Sequence, residues 1–319
     1  MKRRVLLAAV GLASLFSPPP TVSAEPVPAP SSEYDGVIAA ARDASQVLKG
    51  VLAAETFLRP QLQSVSDWYT SQDDTSQWML AVAVSARTHQ MEDTLDVAWM
   101  RTMVSRILSR FITTANMTEQ RQAEQSGWIS SADVLERLNP VAVPDSNSTG
   151  VSSLSLMVGL YERLDWKLGI LASELSNLTQ VPADELFSVW RTTTLTRLQV
   201  LFVALDKLGV PYRAYADGPD AYDCSGFTSA AWREGGVSLP SYSVSQQAVT
   251  TTIVQEELET SDLVFYKPLW SDSRNTMVGH VSLYLGSSNL VIESTGRGVS
   301  LSRYREQRIS GYGSVITQD

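Results

Sequence analysis

Tyr222-Asp223-Cys224-Ser225-Gly226-Phe227 holds the single cysteine of this 319-residue chain. Downstream lies Gly279-His280-Val281, with one of the only two histidines. One thiol and one well-placed imidazole are the minimum equipment of a cysteine nucleophile and its base. The flanking residues say how the two would meet. Ser225 to Arg233 reads as a helix that starts at Cys224, where free backbone N–H groups and the helix dipole favour negative charge on sulfur. Leu263-Val264-Phe265-Tyr266 and Val281 to Leu285 read as short strands. The second ends at Gly286, Ser287-Ser288-Asn289 is a turn, and Leu290-Val291-Ile292 returns as the hairpin partner.

His280 thus opens a strand, a rigid place from which to aim a ring at the helix. Glu293 closes the returning strand, and a hairpin sets the ends of its strands side by side. Glu293 is therefore expected to hold the second imidazole nitrogen. The amide of Cys224 and the hydroxyl of Tyr212 are candidate donors to an oxyanion. The bland alternatives are a core thiol, a packed strand histidine, a surface carboxylate and a core tyrosine. His89 reads as a helix-surface residue. Two histidines and one cysteine are too few, at the wrong spacing, for zinc, so neither metal nor cofactor is expected.

The preceding half has helical periodicity from about residue 34. Asp35 to Phe57 carries Ile38, Val47, Leu48, Val51 and Leu52, with Pro60 expected to close it. Further helices are read over Thr75–Gln90, Leu95–Asn116 and, shorter, Ser131–Leu138. Ser153 to Leu178 carries Met157, Tyr161, Leu164, Leu168, Leu171, Leu175 and Leu178 at alternating steps of four and three, a seam of three heptads. An internal antiparallel bundle seam is the favoured reading, and a coiled-coil dimer or an arm that touches another protein the competing one. Pro140 to Gly150 is the best loop. Six of the eight tryptophans fall between Trp68 and Trp190. They read as core residues, with sugar stacking as the alternative. After one more helix, Leu195 to Leu208, glycine and strand signals take over. The fold class is α+β: an all-α bundle or hairpin domain over 34–191, then a domain of helices followed by an antiparallel sheet over 192–319.

The first residues read as a secretory signal over 1–24. Lys2, Arg3 and Arg4 precede an apolar run to Phe16, and Val22-Ser23-Ala24 offers a cleavage site. An uncleaved anchor is the competing reading. Residues 25–33 form a flexible leader. The expected location is secreted or cell envelope, where a lone cysteine has no internal disulfide partner. The net formal charge of −9 excludes the electrostatic footprint of a nucleic-acid binder.

Leu208-Gly209-Val210-Pro211-Tyr212 followed by Asp223-Cys224-Ser225-Gly226-Phe227 resembles an NlpC/P60 domain. Leu239-Pro240 with Ser243 and Gln246, Asp262-Leu263-Val264-Phe265-Tyr266, Gly279-His280-Val281 and Tyr284-Leu285-Gly286 continue the resemblance in order, from about Thr194 to the C-terminus. It implies a papain-like α+β fold and a secreted cysteine endopeptidase of peptidoglycan stem peptides. The expected cut is between γ-D-glutamate and a diamino acid. The resemblance carries the nucleophile to Cys224, the base to His280 and the third polar residue to Glu293. It also sets Asp223 and Ser225 beside the substrate's free amine. Two departures stand out: the family's Trp-Gly-Gly is Ala214-Tyr215-Ala216 here, and its Pro-Gly-Asp is Thr260-Ser261-Asp262. The first leaves open an amidase or other acyl-transfer enzyme of the same fold. A non-catalytic wall-binding or partner-binding protein is the third reading. The helical half is expected either to lie across the cleft as an inhibitor or to dock a cell-wall or secretion-system protein.

Overall fold

In a computed structural model of the chain, the described residues are 32–89, 96–112, 149–268 and 278–315. The expected signal segment, most of the leader, the Ser131–Leu138 helix and residues 140–148 of the expected loop lie outside them. Residues 32 and 33, assigned to the leader, instead begin a 3-10 turn, Ser32–Tyr34. No helix among the described residues is long and apolar enough to cross a membrane.

Helix α1, Asp35–Thr70, runs straight through Pro60, where the sequence predicted its end. An interior proline costs a helix roughly 3 kcal/mol. Here Leu58, Leu62, Val65 and Tyr69 beyond it are all buried, and packing of an apolar face outweighs local propensity. Helices α2, Asp74–Thr88, and α3, Val97–Leu108, are each capped by an aspartate. The Asp73 and Asp96 carboxylates accept from the amides of Ser76 and Trp99, both at 2.9 Å. The longer helix expected to Asn116 gives way to a 3-10 turn at Ser109–Phe111.

Helix α4, Thr149–Thr179, lies antiparallel to α1 along its length. Lys167 pairs with Asp43 at 2.6 Å, the Tyr161 hydroxyl donates to Glu55 at 2.9 Å, and Gly150 lies against Val65. Met157, Tyr161, Leu164, Leu168, Leu171 and Leu175 are buried, while Leu178 is 40% exposed. The heptad seam is therefore consumed inside the chain and is not a free dimerisation stripe. His89 is also not a free surface residue. It ends α2 and bonds Glu162 of α4 at 2.9 Å. The tryptophans divide: Trp190 is fully buried, but Trp78 and Trp166 are exposed.

Helices α5, Ala183–Thr192, and α6, Leu195–Asp206, lead into the second half. There α7, Cys224–Glu234, and α8, Ser243–Val249, precede a six-stranded sheet. Its strands are β1 Thr251–Ile253, β2 Leu263–Tyr266, β3 His280–Tyr284, β4 Leu290–Thr295, β5 Gly298–Arg303 and β6 Ile309–Ser314. Their order is β1-β6-β2-β3-β4-β5, with every pairing antiparallel. Alternation splits the sheet into two faces. Leu263, Phe265, Val281, Leu283, Leu290 and Ile292 join the main core with the helices. Val264, Val291 and Tyr304 form a smaller cluster on the other face, with Tyr266, Tyr284 and Tyr312 packed against it.

Arg197 of α6 ties the helices to the sheet. Its guanidinium donates to Asp262 Oδ1 at 2.7 Å, to the Thr260 carbonyl at 2.8 Å and to Ser314 Oγ at 2.8 Å. Both Arg197 and Asp262 are buried. Trp190 Nε1 donates to the Leu285 carbonyl at 2.8 Å, fastening α5 to the end of β3.

Candidate active site

Cys224 is the first residue of α7, and Asp223 is its N-cap. Asp223 Oδ1 accepts from the Gly226 amide at 2.7 Å, and Oδ2 from the Tyr215 amide at 2.9 Å. One carboxylate therefore starts the helix and pins the loop before it. Gly226 is required there, because a Cβ would stand 2.2 Å from the Ala216 carbonyl oxygen. The amide of Cys224, at the first helical position, has no intrahelical acceptor and faces outward from the helix end. The thiol is partly buried.

Below α7, Gln246 of α8 is fully buried and fully bonded. Its Nε2 donates to the carbonyls of Ser225 at 2.9 Å and Pro240 at 2.7 Å, while Oε1 accepts from the Thr228 hydroxyl at 2.8 Å. Gln246 thus holds the first turn of α7 at a fixed height. The sequence reading placed it in a motif without a role. It has little signal in the sequence, since Ser245 and Gln247 beside it are polar too; only burial obliges an amide side chain to find partners.

His280 opens β3 opposite Tyr266 of β2. Its Nε2 donates to Glu293 Oε2 at 2.6 Å, and Glu293 Oε1 accepts from the Ser302 hydroxyl at 2.6 Å. Glu293 does not end its strand, since β4 runs on to Thr295. Nor does it stand directly across from His280. The β3–β4 register pairs Leu283 with Ile292, and continuing it sets Glu293 opposite Ser282, diagonal to His280. A diagonal pair is within reach of long side chains. With Nε2 engaged, Nδ1 is the nitrogen left for Cys224, with which the imidazole also interacts.

Burial by itself would push the His280 pKa down. The Cys224 and Glu293 interactions outweigh it and carry the group from 6.5 up to about 9. Burial pushes Glu293 up, but the hydrogen bond and charge of His280, with the Ser302 hydroxyl, leave it below its ordinary value. A charged imidazolium between the Glu293 carboxylate and the Cys224 sulfur is the resulting state at neutral pH. The Tyr266 ring lies 5.2 Å from the imidazole, centroid to centroid, and the Tyr266 hydroxyl shares a hydrogen bond with Ser282 at 2.7 Å.

Tyr212 reaches the site because the 211–223 segment folds back on itself. The Tyr222 amide donates to the Pro211 carbonyl at 3.0 Å, and the Arg213 amide to the Tyr222 carbonyl at 3.1 Å. Tyr212 is 40% exposed. Burial, then the charges of Cys224 and Asp223, raise its pKa, which keeps the hydroxyl a donor. Asp223 and Ser225 lie at the same helix end but are engaged by the protein. Ser225 is buried, its hydroxyl within 3.0 Å of the Ser241 carbonyl and 3.2 Å of Asp223 Oδ1.

Both sequence departures acquire a physical form. Tyr215 has φ +62° and Ser261 φ +72°, so each keeps the left-handed backbone that glycine adopts freely. Ser261 is buried and locked: its hydroxyl donates to the Arg197 carbonyl at 2.9 Å and its carbonyl accepts from Trp232 Nε1 at 3.1 Å. Tyr215 is 96% exposed beside the Cys224 end of α7.

A cleft of about 820 Å3 opens over His280 and Glu293, lined also by Tyr212, Tyr266 and Ser302. Among the described residues none from the helical half lines it, so the expectation of an inhibitor lying across the cleft finds no support there.

A family profile, that of the NlpC/P60 family, matches residues 209–314. A probable endopeptidase p60 of Listeria grayi is 34% identical over 112 residues, 34% of this chain and 20% of that protein. The murein DD-endopeptidase MepS/murein LD-carboxypeptidase of Escherichia coli K12 is 31% identical over 137 residues, 43% of this chain and 69% of that protein. Among solved structures, the P60 domain of an M. avium subspecies paratuberculosis antigen aligns at 26% identity. That alignment covers 38% of this chain and 96% of that one, with a TM-score of 0.33. The match spans about a fifth of the length of the Listeria relatives.

Proposed function

This chain belongs to the NlpC/P60 family, and from that premise we propose that it is a cysteine endopeptidase that hydrolyses peptidoglycan stem peptides. Relatives that carry endopeptidase names support the cell-wall hydrolase reading. The observation that carries the chemistry is the placement of His280. Its imidazole is bonded to Glu293 at 2.6 Å on one side and interacts with the Cys224 thiol at a helix amino end on the other.

The thiolate of Cys224 attacks the scissile amide carbon, forming the C–S bond and moving the carbonyl electron pair onto oxygen. The Cys224 amide and the Tyr212 hydroxyl donate to that oxygen. Collapse breaks the C–N bond, and the departing amine takes its proton from the His280 imidazolium. The neutral imidazole then removes a proton from water, which attacks the thioester. Collapse releases the new carboxyl group and restores thiolate and imidazolium. Glu293 keeps the ring in the right tautomer and orientation throughout.

The favoured bond joins γ-D-glutamate to the diamino acid. The basic, apolar start of the chain supports work in the cell envelope, outside the reducing cytoplasm. Mass spectrometry of stem peptides digested by the wild-type chain and by Cys224→Ala tests the reading. A cut after γ-D-glutamate that disappears in the variant is expected. A wild-type digest with no stem bond cut would overturn the proposal. A cut at a different amide would retain the mechanism and replace the bond.

A further inference from the structure

The lining of the cleft over His280 and Glu293 is basic. Lys267, Arg305 and Arg308 line it, in a chain whose net formal charge is −9. The one carboxylate among the described lining residues is Glu293, and both its oxygens are engaged, by His280 and by Ser302. It therefore cannot neutralise the wall without releasing the imidazole. One of the cations, Arg308, is held in place by a neutral group. The Lys267 amide donates to the Arg308 carbonyl at 2.9 Å, and the Arg308 guanidinium donates back to the Lys267 carbonyl at 2.8 Å. The second bond positions the Arg308 guanidinium and leaves its charge uncancelled, and the first holds the Lys267 backbone beside it. Arg305 follows Tyr304, whose ring is buried and whose amide donates to the Asn289 carbonyl at 3.0 Å, so its backbone is anchored although its side chain is exposed. Arg303 lines the same cleft, but its guanidinium is tied to the carbonyls of Ser288 and Thr179. Among the described residues Lys267, Arg305 and Arg308 form no ion pair.

The geometry points to a carboxylate-binding wall, so that this enzyme selects stem peptides whose carboxylates beside the scissile bond are free and discriminates against those in which they are carboxamides. The inference rests on the endopeptidase reading, which supplies the fitting chemistry. A glutamate linked through its γ-carbonyl carries a free α-carboxylate close to the bond that breaks, and the diamino acid carries another. Amidation keeps the size and removes the charge. Guanidinium groups give carboxylates paired, charge-assisted hydrogen bonds that a carboxamide cannot make in the same way.

The test uses two stem tripeptides of identical sequence, one with the glutamate α-carboxylate and one with the α-carboxamide. Hydrolysis by the full wild-type chain is compared with that by Arg305→Gln and by Arg305→Gln/Arg308→Gln. The wild type should favour the carboxylate peptide by about tenfold in kcat/KM, the scale of one charge-assisted hydrogen bond on a partly exposed wall. That preference should shrink with added salt, and the variants should lose it through KM. Calorimetric binding of both peptides to Cys224→Ala reads the wall without turnover. Equal binding of the two peptides there, or a preference that survives the double substitution, overturns the inference. A carboxylate preference in binding without any cut bond sustains the wall and counts against the endopeptidase reading alone.

Discussion

Replacing Glu293 by glutamine tests how the imidazole is set for its work. His280 rises from 6.5 to about 9, which corresponds to about 3.4 kcal/mol of preference for imidazolium over imidazole. Burial opposes that rise, so Cys224 and Glu293 together supply more than the net figure. An even division gives Glu293 at least about 1.7 kcal/mol, or a little over one unit of pH. Glutamine keeps an acceptor for Nε2 and removes the charge. Because the protonated ring delivers the proton to the leaving amine, loss of that proton sets the alkaline limb of the kcat/KM profile. The limb should lie near 9 in the wild type and fall below about 8 in Glu293→Gln, read on a stem peptide between pH 5 and 10.5. The same linkage acts on stability. A raised histidine pKa stabilises the fold fully below 6.5 and loses that contribution as pH climbs through about 9. Chemical denaturation at pH 6 and pH 10 should therefore differ less in the variant than in the wild type. An unmoved alkaline limb in Glu293→Gln, or a wild-type limb near 6.5, would refute the assigned coupling.

Tyr212→Phe removes the hydroxyl proposed to meet the oxyanion. It should lower kcat by about 10²- to 10³-fold with little change in KM, and a kcat within twofold of wild type would remove Tyr212 from the chemistry. Arg197→Met strips the buried Asp262 of its cation. It should destabilise the protein by roughly 3–5 kcal/mol in urea titration, with partial recovery when Asp262→Asn is added; a loss below about 1 kcal/mol would contradict the buried pair. Tyr215→Gly releases a left-handed tyrosine, worth about 1–2 kcal/mol, against the greater unfolded-state freedom of glycine, about 0.5–1 kcal/mol. A small net gain in melting temperature is expected, and a clear loss would mean that the exposed ring makes a contact.

The site was legible wherever one residue carried both chemistry and position. Cys224 could be placed at a helix start because Ser225 to Arg233 reads as a helix, and the structure adds Asp223 as its cap. His280 could be placed at a strand start because a β-rich apolar run follows it. The pairing with Glu293 was read from the hairpin, and the side chains do meet, but diagonally, because register depends on turn geometry that the residues alone left loose. Pro60 misled for a related reason: a local breaker was weighed without the tertiary packing that overrides it. Arg197 and Gln246 were missed as braces because their partners, Asp262 and Ser314 for one and Pro240 and Ser225 for the other, come together only in the fold. The left-handed backbone at Tyr215 and Ser261 was signalled by the absent glycines, yet those changes looked like altered chemistry and not like retained geometry.

Helix α6 is buried nearly all round, with Leu198, Val200, Leu201, Phe202 and Leu205 within one apolar core that extends from Val37 of α1 to Val315 beyond β6. The family profile begins only at residue 209, beyond that helix. A protease that severed the link between α5 and α6 would leave a nicked protein whose halves still hold together, since water is kept from their shared surface by side chains and not by the peptide bond. Discarding residues 32–192 would strip α6 of its cover and leave an oily flank on the second half. In this chain the helical portion behaves less like a detachable cap than like the hull in which the sheet-bearing half is seated.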